Sequence, residues 1–521
     1  MVPEFRNEPF TDFSKPENRK AMEQALEQVR GQLGRTWPMI IDGKEVSDGP
    51  VVEVRSPFDR SIVVGCTVKG TDEHARQAIQ AADRAFQTWQ YTDPRERADG
   101  LFRVAAKIRE RKFEFAAWMV YEVSKNWAEA DGDVAELIDF AEYYGREMLR
   151  LADGAPVTQV PGEHNQMRYI PLGVGAIIPP WNFPGAIMGG MTMAAVVTGN
   201  TAVLKPAHTS PIIAAVFTRL FIEEAGLPPG VVNYITGPGG LLGDTMVDHP
   251  KTRFVAFTGS KEIGMRIFER AAKVNPGQIW LKRTILEMGG KDAIVVDETA
   301  DLEAAAEGIV ASAFGFQGQK CSACSRAIIV DAVYDAVLEK VVERTKTLKV
   351  GDPRDPETNM GAVIDRKAFD KIRSYIELGD EEGRVVVRGE TGDGEDGYHI
   401  PPTIVAGVEP NARIAQEEIF GPVLAFIRAA DFNHALEIAN GTEFGLTGAV
   451  YTLDPERLER ARNEFHVGNL YLNRKCTGAL VGVQPFGGFN MSGTDSKAGG
   501  PDYLTLFMQG KSIADRTPGA A

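Results

Sequence analysis

Residues 173–205 read GVGAIIPPWNFPGAIMGGMTMAAVVTGNTAVLK. Two short apolar runs, GAIIP and TAVLKP, have the length and composition of buried strands, and residues 185–198 between them have those of a buried helix. Strand, helix, strand is the unit from which parallel sheets are wound. The span from Tyr169 to Leu204 contains no charged residue, so length alone would allow a membrane crossing. Pro171, Pro179, Pro180 and Pro184 interrupt it, however, and Asn182 and Asn200 would need partners in lipid. The stretch therefore reads as the interior of an α/β domain.

Working outward, VVNYIT and RFVAFTG continue the strand series, with helices expected over 210–226, 240–249 and 260–273. A second alternation opens at Asp292, with DAIVVD, a helix over 301–313, RAIIVD and a helix over 332–348. Two doubly wound α/β units follow from this pattern. Residues 16–35 and 72–152 carry apolar positions at three- and four-residue steps and read as helical. After Gly154, VTQV and QMRYIPL, separated by PGEHN, read as two strands joined by a polar turn. The closing YLTLFMQGKSIA has extended character and is expected to pair with that 155–172 ribbon. The Gly/Asp/Glu-rich patch 389–397 reads as a surface loop. There is no internal repeat and no biased tract beyond the terminal TPGAA.

At 521 residues the chain is too long for one ordinary core. It is 43 % hydrophobic and 25 % charged, as in a soluble globular protein. A net charge of -15 argues against a generic nucleic-acid or anionic-membrane surface. The N-terminus MVPEFRNEPFTDF has neither an apolar signal core nor an Arg-rich transit character. Four cysteines, Cys66, Cys321, Cys324 and Cys476, make no disulfide framework, so a reducing, cytoplasmic setting is expected. Cys321 and Cys324 form a CxxC, but no second ligand pair accompanies it and the seven histidines show no HxxxH or HxH spacing. No metal is expected; a regulatory Cys321–Cys324 disulfide stays open.

Chemistry concentrates in a few segments. FQGQKCSACSR, 316–326, presents Cys321 among small residues, and LEMGGKD upstream presents the carboxylate of Glu287 among glycines. A thiol with a carboxylate suits covalent catalysis, the base releasing the intermediate; the alternative is an inert buried cysteine. A free thiol has a pKa of roughly 8.5, so a shift of about 1.5 units downward would half-ionise it at pH 7. RFVAFTGSKEIG places Gly259-x-x-x-x-Gly264 between a strand and a helix, where backbone can approach a pyrophosphate, or where a chain simply turns. In PPWNFPG prolines pin Asn182, whose amide could serve an oxyanion hole or bond nearby backbone. Lys205 ends a strand at the carboxyl edge where α/β sheets bind ligands. Glu417 and Glu418 precede a Phe-Gly-Pro turn, and either could be a solvated charge.

Together and in order, PWNFP, KPA, FTGS, LEMGGKD, GQKC, EEIFGPV and PFGGFNMSG resemble the motifs of the aldehyde dehydrogenase superfamily over roughly residues 30–510. GQKCSACSR, EFHVGNLYLNRK and TGALVGVQPFGG are most similar to its bacterial-type 1-pyrroline-5-carboxylate (L-glutamate γ-semialdehyde) branch. The resemblance implies a dinucleotide-binding domain from 1–153 and 173–286, a catalytic domain from 287–502, and an oligomerisation element from 154–172 and 503–521. It implies Cys321 as nucleophile, Glu287 as base, and Asn182 with the Cys321 N–H as oxyanion hole. Lys205 and Glu418 would hold the riboses of NAD, and Gly259, Ser260 and Gly264 its diphosphate, with Pro180, Trp181, His208 and Phe420 beside them. Ser322 and the N–H groups of Gly478 and Ala479 would take the substrate's α-carboxylate, with Phe183 and Phe486 along its aliphatic chain. The implied reaction is oxidation of L-glutamate γ-semialdehyde to L-glutamate in proline catabolism, by a homodimer or higher homo-oligomer paired functionally with a proline dehydrogenase.

One position departs from the family pattern. Relatives usually carry glutamate after Lys-Pro-Ala, where it holds the adenosine ribose and repels a 2′-phosphate; here that residue is His208. Imidazole removes the repulsion, so NADP becomes possible beside NAD. The competing readings are a dehydrogenase for another small aldehyde, a CoA-acylating relative, for which Glu287 would be superfluous, and a non-catalytic binding protein on the same fold.

Overall fold

The computed structural model describes residues 2–516; Met1 and the terminal TPGAA, 517–521, lie outside the described residues. Two seven-stranded sheets carry the molecule. The first runs Arg283–Glu287, Thr252–Thr258, Val174–Ile178, Thr201–Leu204, Val232–Tyr234, Met39–Ile41 and Lys44–Val46, its first five strands parallel and its last two antiparallel. The order of the parallel strands reverses between Val174–Ile178 and Thr252–Thr258, which opens a crevice at their carboxyl ends. The loops leaving those two strands are Pro179–Asn182 and Gly259–Ser260. Helices Ala186–Val197, Pro211–Ala225 and Lys261–Ala272 fall where the hydrophobic pattern puts them.

The second sheet runs Arg384–Val387, Thr403–Ala406, Val423–Ala429, Cys324–Val330, Asp292–Val296, Thr447–Tyr451 and Asn469–Leu472, parallel except at the Arg384–Val387 edge. Glu287 is the last residue of the first sheet and Asp292 the first of the second. Only residues 288–291 join them. The carboxyl edge of one sheet is therefore held close to the amino edge of the other, where Cys321 precedes the strand Cys324–Val330. That juxtaposition makes the site.

The N-terminal helical region resolves into Pro16–Arg30, Asp72–Trp89, Pro94–Glu110, Lys112–Val123 and Trp127–Leu151. The ribbon differs from expectation. His164–Pro171 pairs antiparallel with Met508–Asp515, but VTQV, 157–160, is not a strand. Pro156 and Pro161 withhold ladder donors, and the Gln159 side chain takes the place of a partner strand, bonding both the N–H and the C=O of Asn165 at 2.8 Å. Among the described residues no helix is long and apolar enough to cross a membrane. The charge-free stretch is instead strand, loop and helix, with Met188–Val197 buried throughout.

Candidate active site

Two cavities meet at Cys321. The larger, about 610 Å³, lies at the crevice of the first sheet and is lined by Pro180, Trp181, Asn182, Lys205, His208, Gly259, Ser260, Glu418, Phe420 and Cys321. The smaller, about 120 Å³, lies on the other side of the sulfur and is lined by Phe183, Glu287, Ser322, Gly478, Ala479 and Phe486 together with Cys321. Of the sequence-predicted residues only Gly264 lines neither. It sits in the second turn of its helix, where a Cβ would stand 2.4 Å from the Met288 sulfur, so its lack of a side chain serves helix packing against residue 288.

The loop that leads to Cys321 is strained and tied down. Phe316 and Gln317 occupy the left-handed region at φ 48° and 56°, unusual for side chains of that size. Gln317 Nε2 donates to the Ser124 and Ala362 carbonyls at 3.2 and 2.9 Å, which holds the conformation. Asn182 Nδ2 donates to the Gln319 carbonyl at 3.0 Å, fixing the amide beside the loop and leaving its second N–H for a ligand. Behind this loop, Lys125 and Asp133 form an ion pair with no exposed surface, 2.8 Å apart. Asp133 also accepts from the Ala186 N–H, and the Lys125 ammonium lies 3.9 Å from the Phe183 ring centre. The turn carrying Asn182 and Phe183 is thus anchored to the helix Trp127–Leu151 and to the short connection that precedes it.

The electrostatics of Cys321 run opposite to the simple expectation of a depressed thiol. Burial pushes its pKa up, and the charges of Asp292, Glu287 and Glu418 push it further the same way. Cys321 therefore rests as the neutral thiol. It forms no bond with Cys324, which is buried on the far side of the strand start with its thiol 3.5 Å from the Arg326 carbonyl; all four cysteines are free. No cluster of three or more His, Cys, Asp or Glu placed to hold a metal occurs among the described residues.

Glu287 is buried, and desolvation raises its pKa to about 7, against the opposing pull of hydrogen bonds from Ser496 and Gly488 and the charge of Lys497. The Ser496 hydroxyl donates to Oε1 at 2.6 Å and the Gly488 N–H to Oε2 at 3.3 Å. A carboxylate poised near neutrality, lining the cavity of a thiol, has the properties of a general base.

In the larger cleft, Lys205 is 5 % exposed and its ammonium finds only the neighbouring Pro206 carbonyl, 3.0 Å away. Burial lowers its pKa to about 8. Glu418 accepts from the Gly290 N–H at 3.1 Å; its neighbour Glu417 turns outward to Arg413 and Tyr375 and is structural. A Cβ at Gly289 would stand 2.3 Å from Glu418 Oε1 and would push that carboxylate aside. His208 sits at the rim with its outer edge exposed. Partial desolvation holds its pKa below the usual histidine value, Asp365 opposing and Lys205 and Lys367 reinforcing.

Of the smaller cavity's lining residues that escape sequence reasoning, among them Tyr144, Val481 and Ser496, one is a carboxylate. Glu136, on the helix Trp127–Leu151, lines the smaller cavity and accepts no hydrogen bond, and burial beside Asp133 raises its pKa to about 8. Its sequence context is an ordinary amphipathic helix; only the unpaired carboxylate in a cavity, a three-dimensional fact, marks it.

The crevice at the sheet's switch point shares Cys321 with the second cavity, which holds the raised carboxylate of Glu287, and comparison with known proteins gives the class. The aldehyde dehydrogenase family model matches residues 45–513, and the chain belongs to that family. Over its length it is similar to 1-pyrroline-5-carboxylate dehydrogenases. It is 61 % identical over 515 residues to the one from Geobacillus thermodenitrificans, covering 99 % of this chain and 100 % of that relative. The crystal structure of the Thermus 1-pyrroline-5-carboxylate dehydrogenase with bound NAD superposes with a TM-score of 0.97 at 50 % identity, covering 99 % of both chains. Proline utilization A from Bdellovibrio bacteriovorus superposes with the same TM-score at 43 % identity, over 99 % of this chain and 53 % of that one.

Proposed function

We propose that this enzyme oxidises L-glutamate γ-semialdehyde, the open form of 1-pyrroline-5-carboxylate, to L-glutamate with NAD. The observation that carries the reading is the meeting of two chemically different cavities at one sulfur. The larger fits a dinucleotide. Its walls are sheet ends and glycines, its buried ammonium at Lys205 has only a carbonyl for company, and Glu418 offers a carboxylate to ribose hydroxyls. NAD held there by Lys205, Glu418 and the Gly259–Ser260 turn would supply the hydride acceptor.

The protein's own residues do the rest. Cys321 gives its thiol proton to solvent base and adds as thiolate to the aldehyde carbon, and the free N–H of Asn182 with the Cys321 N–H stabilises the oxyanion. Loss of hydride from that adduct leaves a thioester on Cys321. Glu287 takes a proton from water, which attacks the thioester carbon and expels the thiolate with release of glutamate. Glu287 near pKa 7 is half-ionised at neutral pH, so deacylation accelerates as pH rises through 7.

The smaller cavity suits a substrate bearing both charges at its far end. Ser322 and the N–H groups of Gly478 and Ala479 face the α-carboxylate, and Glu136 is a partner for the α-ammonium. Phe183 and Phe486 flank the methylenes. Gly478, at φ 76°, holds a backbone conformation that a side chain would strain. The enzyme works as a homo-oligomer in the cytoplasm: the ribbon is a separate two-stranded sheet, and the apolar side chains of Phe268, Val274, Ile279 and Leu281 are 51–85 % exposed, which association would cover. Its substrate must be made by a proline-oxidising enzyme, so functional pairing with a proline dehydrogenase follows, and the likeness to part of proline utilization A supports it.

Initial rates with glutamate semialdehyde, acetaldehyde, succinic semialdehyde and betaine aldehyde, each with NAD and NADP, test the reading. Glutamate semialdehyde with NAD should give the highest kcat/KM; a higher value for any of the others would transfer the assignment to that aldehyde.

A further inference from the structure

The segment 2–13 forms neither helix nor strand, yet it is bonded along its length to the helix Trp127–Leu151 and its neighbours. The Thr11 N–H and hydroxyl donate to Asp131, the Lys112 ammonium donates to the Pro9 carbonyl at 3.0 Å, and Glu8 pairs with Arg109. Both carboxylate oxygens of buried Asp139 are taken by this strap, Oδ1 by the Glu8 N–H at 2.6 Å and Oδ2 by Asn7 Nδ2 at 2.8 Å.

The same Asn7 nitrogen donates at 2.9 Å to the carbonyl of Val481. Val481 belongs to the loop whose Gly478 and Ala479 line the smaller cavity, and it lines that cavity itself. One residue further on, Gly482 at φ 76° is backed by the rings of Phe5 and Tyr143, which a Cβ would meet at 3.1 Å. On its other flank the loop is gripped by Arg474, which donates to the carbonyls of Thr477 and Gly478 at 3.0 Å each. The loop is thus clamped from two sides, once by its own base and once by a segment more than 450 positions away in sequence.

We infer that Asn7 is a positioning residue for the substrate-carboxylate loop: bridging Asp139 and the Val481 carbonyl, it sets where the Gly478 and Ala479 N–H groups point. The inference rests on the proposed role of that loop in reading the α-carboxylate. Two N–H donors bind a carboxylate well only when both are aimed, and small displacements of positioning groups are costly. An aldehyde without a carboxylate does not use those donors and is indifferent to their aim.

The test compares glutamate semialdehyde with propionaldehyde. Asn7→Ala should raise KM for the semialdehyde at least fivefold while kcat/KM for propionaldehyde moves less than twofold; equal effects on both, or none, would overturn the inference. The exchange Asn7→Asp with Asp139→Asn restores the 7–139 hydrogen bond with donor and acceptor reversed and keeps an acceptor for Glu8, but leaves the Val481 carbonyl without its donor. It should recover thermal stability relative to Asn7→Ala and keep the raised KM. Recovery of KM along with stability would show that the strap merely holds the fold. Should Asn7→Ala not accumulate as folded protein, the exchange carries the test alone. Gly478→Val separates the two levels. If it injures both substrates alike, the reading of the loop fails; if it discriminates while the Asn7 variants do not, only the strap inference falls.

Discussion

The two cavities flanking Cys321 are built by different means. The cofactor cleft is made at the ends of consecutive strands, with Pro179–Asn182, Lys205 and Gly259–Ser260 each leaving a parallel strand at the same edge. The substrate cavity is assembled from segments far apart in sequence: Glu136 on a long helix, Phe183 on a proline-pinned turn, Cys321 and Ser322 before a strand, and Gly478 to Phe486 on an irregular loop. A sheet edge generates the first wherever the fold forms. The second depends on how loops are held, and its specificity is correspondingly exposed to single substitutions.

Substitutions that break one cavity and spare the other sharpen this contrast. The largest effect belongs to the shared atom. Cys321→Ala should lower kcat by at least about 10⁴-fold with every aldehyde while NAD affinity, read by fluorescence titration, changes less than about threefold. Next comes Gly478→Val, which strains the loop: KM for glutamate semialdehyde should rise at least about tenfold, equivalent to roughly 1.4 kcal/mol, with little change for propionaldehyde. His208→Glu acts only on the cleft. It should depress kcat/KM with NADP by at least about tenfold and leave NAD within about twofold, since a carboxylate beside Lys205 and Lys367 would meet the 2′-phosphate.

Smallest is a gain in stability. Glu287 has a folded pKa of about 7 against 4.5 for the free side chain. Between those values the folded state binds the extra proton, so this residue's contribution falls as pH rises from 4.5 to 7 and is fully unfavourable above 7. Glu287→Gln removes that cost, at most roughly 3.4 kcal/mol. Its thermal midpoint should exceed that of the unsubstituted enzyme at pH 8 and converge with it near pH 5, as differential scanning fluorimetry would show.

Legibility in the sequence divides along the same line. Hydrophobic period alone places the strands between Val174 and Thr258 and the pair Asp292–Val296 and Cys324–Val330, and with them the cleft edge, because Lys205 and Gly259 directly follow readable strands; the strands Arg283–Glu287, Thr403–Ala406, Val423–Ala429, Thr447–Tyr451 and Asn469–Leu472 are not read from it. The strand expected at VTQV failed because a side chain, Gln159, satisfies the backbone that a strand would have. Gly264 looked like a phosphate-binding glycine, yet its neighbour in space is Met288. Cys321 stands out by context, but the direction of its pKa shift is set first by burial and then by the charges of Asp292, Glu287 and Glu418, none of which its own segment shows. Glu136 and Asn7 carry no local signal; each acquires meaning from a residue hundreds of positions away.

In the proposed mechanism Cys321 alone serves acylation, and Glu287 serves deacylation from the cavity the two residues share. Rapid mixing of Glu287→Gln with saturating glutamate semialdehyde and NAD at pH 8 addresses it directly. The predicted trace is a burst of NADH near one equivalent per active site, followed by turnover reduced at least about 10²-fold, with the thioester recoverable on Cys321 by mass spectrometry. A trace in which burst and steady state vanish together would contradict the claim, since Glu287 would then be needed before the hydride leaves.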